Sequence, residues 1–168
     1  MTRTQEKIFE LEEGIEAIIG KINTQIGELE YRPLLISIYG GMNSGKSYII
    51  DKVGLHFEKE GLRIYQGQGA PSPSFFEHMQ SYQKSRDVNI CLFHYCGSRS
   101  EMKEDPNSLA KALLGRDLNL NVGIYNPNHG KNWNDEYVTG EFDIVIRNPN
   151  SKVKKWGRKT KGSKNKTK

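Results

Sequence analysis

Between residues 4 and 30 apolar side chains recur at Ile8, Leu11, Ile15, Ile18, Ile22, Ile26 and Leu29, three or four positions apart, with Glu and Lys between them. That spacing predicts a helix carrying one narrow apolar stripe. The stripe suits either a seam pairing two copies of the chain in a homodimer or a packing face against the rest of this one. Gly14, Gly20 and Gly27 lower the intrinsic stability of the helix, and Pro33 ends it. The pattern then changes to short continuous apolar runs. Residues 34–39 read as a buried parallel strand. A helix follows over residues 48–60, with Ile49, Ile50, Val53 and Phe57 on one face and Gly61 at its end. Residues 62–65 form a second strand and 66–71 a Gly-rich connection. Ser72 as cap and Pro73 at the first helical position open another helix, with Phe75, Phe76, Met79 and Tyr82 turned inward.

Residues 89–95 make a third strand, apolar enough for the middle of a sheet. Asp105 and Pro106 start a helix through Leu109, Leu113 and Leu114 that Gly115 closes. Residues 120–125 and 142–147 supply a fourth and a fifth strand, separated by a polar loop over 126–140. Strands alternating with helices imply an α/β fold, a parallel sheet covered on both faces, with ligands bound at the carboxyl ends of the strands.

Three parts follow from these patterns: an amphipathic N-terminal helix over 1–31, a nucleotide-domain-sized α/β unit over 32–151 and a basic tail over 152–168. The chain has 168 residues, enough for one domain with a real core and too few for a second catalytic one. No apolar stretch reaches the eighteen or so residues a membrane span needs, and residues 1–6 lack the apolar centre of a secretory leader, so no membrane partner and a cytoplasmic location are expected. Cys91 and Cys96 are the two cysteines; both fall at one strand, where they cannot easily bridge, and reduced core thiols are expected. The net charge of +5 belongs to the tail, whose seventeen residues hold nine Lys or Arg and no acid. Without them sixteen basic residues face twenty acidic ones. Such a tail cannot pack a core, and its lysines, with Trp156 available to stack on a base, suit contact with nucleic acid.

The chemistry-bearing motif is Gly40-Gly41-Met42-Asn43-Ser44-Gly45-Lys46-Ser47, a complete G-x-x-x-x-G-K-[ST] loop set between the first strand and its helix. Successive backbone N–H groups, crowded by small residues and topped by a helix N-terminus, make a concavity for a diphosphate. Gly40 and Gly45 allow backbone that a Cβ would hinder. Lys46 is placed to neutralise the β and γ phosphates, Ser47 to ligate Mg²⁺, and Tyr48 continues the same run. The sequence thus points to a nucleotide, with Mg²⁺ as its counter-ion.

With residues 34–60 so arranged, and Phe142-Asp143-Ile144-Val145-Ile146-Arg147-Asn148 as the last strand, the chain resembles the P-loop kinases of the uridine kinase and nucleoside kinase type. A helix before Tyr31-Arg32-Pro33 matches their layout. The resemblance implies a three-layer P-loop NTPase fold whose five-stranded sheet runs in the order 2-3-1-4-5, ATP as donor, and transfer of its γ phosphoryl group to a nucleoside or other small hydroxyl acceptor. By position it sets Asn148 and Pro149 beside the adenine.

Departures from that pattern bear on the chemistry, because phosphoryl transfer needs a base, a metal-holding carboxylate and cations around the moving group. Where these kinases place an Asp after the second strand, this chain reads Tyr65-Gln66-Gly67-Gln68. Where a carboxylate is expected near the end of the third strand stands His94. It could orient a water or an acceptor hydroxyl opposite the γ phosphate, as a catalytic residue alongside Lys46, or be a hydrogen-bonded crevice histidine. The expected arginine-bearing lid is a short loop in which Lys131 is the one fixed cation. Cys91, His94 and Cys96 do not make a metal site, since positions three apart on a strand face opposite sides. Glu77 and His78 suit either an acceptor pocket or a solvated helix face. Glu101 and Glu104 are the nearest spare carboxylates, Asp105 is a helix cap, and Arg99 and Arg116 are candidate phosphate contacts. The departures leave a second reading open: a nucleic-acid-associated P-loop ATPase, or a nucleotide binder with little or no kinase activity.

Overall fold

The computed structural model describes residues 7–27, 33–41, 44–68, 77, 81, 88–95, 111–112, 115–128 and 142–149. The chain opens with β1 (Ile8–Glu10), which runs straight into α1 (Leu11–Ile26). Then come β2 (Leu34–Gly40), α2 (Lys46–Lys59), β3 (Ile64–Gln68), β4 (Ile90–Tyr95), β5 (Leu120–Tyr125) and β6 (Ile144–Arg147). All six strands pair in parallel in the order β1-β6-β5-β2-β4-β3. The five strands expected from the sequence take the expected order, but the sheet has six strands, not five.

The extra strand is a tertiary effect. Residues 8–10 continue the helical spacing of the stripe, yet the outer edge of β6 offers backbone partners, and Ile8, Phe9 and Glu10 pair with Val145, Ile146 and Arg147. Glu10 then closes the edge with an ion pair to Arg147 at 3.1 Å. Ile8, its stripe position lost, is 44% exposed. The rest of the stripe behaves as an amphipathic face should: Ile15, Ile18, Ile19 and Ile22 are buried in the chain's own core. Gly14 explains itself here, because α1 crosses β6 so closely that a Cβ would meet the Ile146 side chain at 2.5 Å.

Alternation along the strands divides the core. Leu34, Ile36, Ile38, Ile90 and Leu92 face α1 and α2, joined by Ile49, Ile50, Val53 and Phe57 of α2. Leu35, Cys91, Tyr39 and Phe93 line the other face and are also buried. Both described helices therefore cover one face. The helices expected to begin at Ser72 and Asp105, the far part of the 126–140 loop and the basic tail lie outside the described residues. At the end of α2 the chain turns at Gly61, φ +82°, whose N–H donates to the Glu58 carbonyl at 2.9 Å, as the sequence led one to expect.

Candidate functional site: the phosphate loop and the strand ends around it

β2 is the central strand, and the chain steps from it to β3 on one side and later to β5 on the other. Its carboxyl end is therefore the place where strand order switches direction, the crevice in which open parallel sheets bind ligands. The loop occupies that place. Gly40 ends β2 in close packing: a Cβ there would stand 2.5 Å from the Ile124 carbonyl and 2.6 Å from the Ser44 hydroxyl. Met42 and Asn43 lie outside the described residues. Gly45 caps α2 in the left-handed region at φ +107°, with no side chain available to satisfy the first-turn N–H groups. The first helical bond runs from the Ile49 N–H to the Gly45 carbonyl, 3.2 Å. The N–H groups of Lys46, Ser47 and Tyr48 thus stand ahead of the ladder, where an anion can take them.

Lys46 is 5% exposed and folds back over the loop, its Nζ donating to the Gly40 carbonyl at 2.8 Å and to that of Gly41. Ser47 is exposed at the mouth of the helix. Tyr48 turns away: its hydroxyl donates to Glu12 Oε1 at 2.9 Å, joining α2 to α1, and that carboxylate raises the phenol's pKa. Only the backbone of Tyr48 remains with the loop.

His94 lies opposite Ile38 in the β2–β4 register, one residue short of the strand end, and on the face that carries α2. It is half-buried. Burial, and then the charge of Lys46, holds its imidazole below the ordinary histidine value of 6.5, while Asp51 on α2 pulls the other way. The sheet thus brings His94 within electrostatic reach of Lys46, and both burial and that charge favour the neutral imidazole.

Beyond β5 and β6 the chain builds a polar wall. The Asn148 N–H donates to the Tyr125 carbonyl at 2.8 Å, and the buried Asn148 side chain reaches over to the loop, Nδ2 donating to the Ser44 carbonyl at 2.9 Å. Asn126, also buried, accepts from the Asn128 N–H at 2.9 Å, and Asn128 Nδ2 donates to the Pro149 carbonyl at 2.8 Å. Asn126 and Asn128 fall in a stretch whose sequence reads only as loop; the signal for them is that β5 and β6 are both followed by Asn-Pro-Asn.

Other candidates stand elsewhere. Arg116 is not at the phosphate end: its guanidinium donates to the Pro33 carbonyl at 3.1 Å and to Asn119 Oδ1, before the first residue of β2. That is the far edge of the sheet, roughly 20 Å from Gly40 along seven extended residues. Cys91 beneath it is a core thiol that burial pushes up to about 12. Glu77 is exposed. His78, Cys96, Arg99, Glu101, Glu104, Asp105 and Lys131 lie outside the described residues. Among the described residues no cluster of His, Cys, Asp or Glu could hold a metal, and no helix is long and apolar enough to cross a membrane.

No protein-family model matches the chain, and no curated protein does. Solved structures do. The signal recognition particle receptor FtsY from Elizabethkingia anophelis superposes with a TM-score of 0.55 at 14% identity, over 82% of this chain and 58% of that one. AMPPCP-bound DnaA from Aquifex aeolicus matches at 13% identity over 83% of this chain and 40% of that one, with a TM-score of 0.25 that is too low to bear on the fold. The likeness to FtsY is one of fold: an α/β domain built on a parallel sheet. It does not reach the narrower nucleoside kinase resemblance.

Proposed function

We propose that this protein binds Mg-ATP at residues 40–48 and transfers the γ phosphoryl group to a nucleoside or similar small hydroxyl acceptor. One observation carries the binding: the left-handed Gly45 cap at the end of the central strand, with Lys46 laid across the loop it closes. The first-turn N–H groups take the β phosphate, and Lys46 exchanges its loop carbonyls for phosphate oxygens. The Ser47 hydroxyl would hold a magnesium ion, which would supply charge neutralisation for the phosphate chain. Asn148 and Pro149, at the strand end beside the loop, bound the nucleotide on the β6 side.

The transfer assigned to this site is a displacement at phosphorus. The acceptor oxygen forms its bond to the γ phosphorus as the bond to the bridging oxygen breaks, leaving the phosphorylated acceptor and ADP. The acceptor's proton passes to His94, which its setting keeps unprotonated and therefore able to receive it. A panel of nucleosides and other small alcohols incubated with labelled ATP should yield one phosphorylated product, lost in Lys46→Ala. Release of inorganic phosphate with every acceptor untouched would replace the kinase reading with hydrolysis.

The second reading, a nucleic-acid-associated ATPase or silent nucleotide binder, draws on the basic tail and on the carboxylates missing from the second and third strand ends. A homodimer would need a surface other than Ile15, Ile18, Ile19 and Ile22, which the chain's own core occupies.

A further inference from the structure

We propose that Asn148 is a positioning residue for the phosphate loop, setting affinity for the phosphate chain of the nucleotide rather than for its base. The inference rests on the nucleotide-binding reading above.

The side chain is 3% exposed and reaches from the end of β6, across the neighbouring β5, to the loop that follows β2. Its orientation is fixed chemically: the Ser44 carbonyl can only accept, so the atom 2.9 Å from it is the amide nitrogen. Two consequences follow. A trans peptide points its C=O and its N–H in opposite directions, so holding the Ser44 carbonyl toward β6 turns the Gly45 N–H away from β6 and into the concavity of the loop. The same nitrogen also stands 2.6 Å from where a Gly45 Cβ would be, so the amide packs directly on the residue that holds the left-handed turn.

The price of this arrangement is visible on the other side of the amide. Asn148 Oδ1 is buried and, among the described residues, has no hydrogen-bond partner; the Ser44 hydroxyl is in the same condition. A leucine would fill a similar volume and remove the stranded Oδ1, but it would leave the Ser44 carbonyl without its donor. The amide thus satisfies the Ser44 carbonyl and strands its own Oδ1, and what it adds is the orientation of the Ser44–Gly45 peptide.

The test measures binding of ATP, GTP and inorganic tripolyphosphate to the full chain and to Asn148→Leu and Asn148→Ala, with thermal unfolding and amide hydrogen exchange of residues 44–47 alongside. The expected result is a loss of about ten-fold, the scale of one buried hydrogen bond, that is equal for all three ligands, with faster exchange at Gly45 and Lys46. A loss confined to the nucleotides, with tripolyphosphate unmoved, would make Asn148 a base contact and overturn the inference. So would unchanged affinity for all three, or an earlier melting transition with unchanged affinity and exchange. Wild-type protein that binds none of the ligands would overturn the nucleotide-binding reading as well; wild-type binding that Lys46→Ala abolishes but the Asn148 variants keep would overturn this inference alone. If Asn148→Leu fails to fold, Asn148→Ala decides the same outcomes.

Discussion

Gly45 is held by two independent constraints. Its φ of +107° lies where an L side chain costs roughly 1–2 kcal/mol, and a Cβ would press on Asn148 Nδ2 at 2.6 Å. Gly45→Ala should therefore lower stability by at least about 1 kcal/mol in denaturant titration and weaken ATP binding beyond that of any first-turn surface variant. His94 supplies a pH signature. Because its folded pKa lies below 6.5, its neutral form favours the folded state fully above that value, and the contribution is lost as pH falls from 6.5 through the folded pKa. Wild type should lose stability across that interval, and His94→Gln should flatten the slope. A phosphate bound beside the imidazole acts in the opposite sense, favouring its charged form, so ATP binding should be accompanied by proton uptake in a calorimetric buffer series as pH falls toward the His94 pKa. If His94 receives the acceptor's proton, the glutamine variant should also lower turnover by roughly 10²-fold or more while leaving ATP affinity in place.

At the level of elements, α1 belongs to the domain and is no detachable arm. Ile18 and Ile22 are fully buried between α2 and the sheet, and Gly14 brings the helix onto β6. Ile18→Ala should cost about 2–5 kcal/mol in chemical unfolding, the range for a large buried aliphatic residue. Removing the exposed Arg147–Glu10 pair should cost no more than about 1 kcal/mol, because both groups remain solvated. The apolar stripe was legible as a helix because helical periodicity is local. What it could not reveal was that its first positions would be taken by a neighbouring strand edge: Ile8 and Phe9 fit either period, and only β6, 137 residues away, decides between them. The order of the five expected strands came from the resemblance to P-loop kinases, and the sheet shows that order with β1 added at its edge.

For the whole molecule, charge is segregated, with the surplus of Lys and Arg confined to residues 152–168. Truncation after Asn150 should abolish any salt-dependent binding of nucleic acid while leaving ATP affinity unchanged; equal binding by the truncated chain, in titrations at two ionic strengths, would remove the tail from the function. The phosphate end and the Arg116 end of the sheet are also distinct: one carries the Gly45–Lys46 turn, the other is tied by Arg116, Asn119 and Pro33.

The sequence by itself determined the loop, its lysine and serine, and five of the six strands, because each depends on neighbours within a few residues. Tertiary structure alone decided that Arg116 serves the far edge, that Tyr48 turns to Glu12, that residues 8–10 are a strand, and that Asn148 grips Ser44 across 104 positions of chain. In each case the deciding group is remote in sequence, and a polar side chain commits to a partner only when folding has removed the water that would otherwise satisfy it.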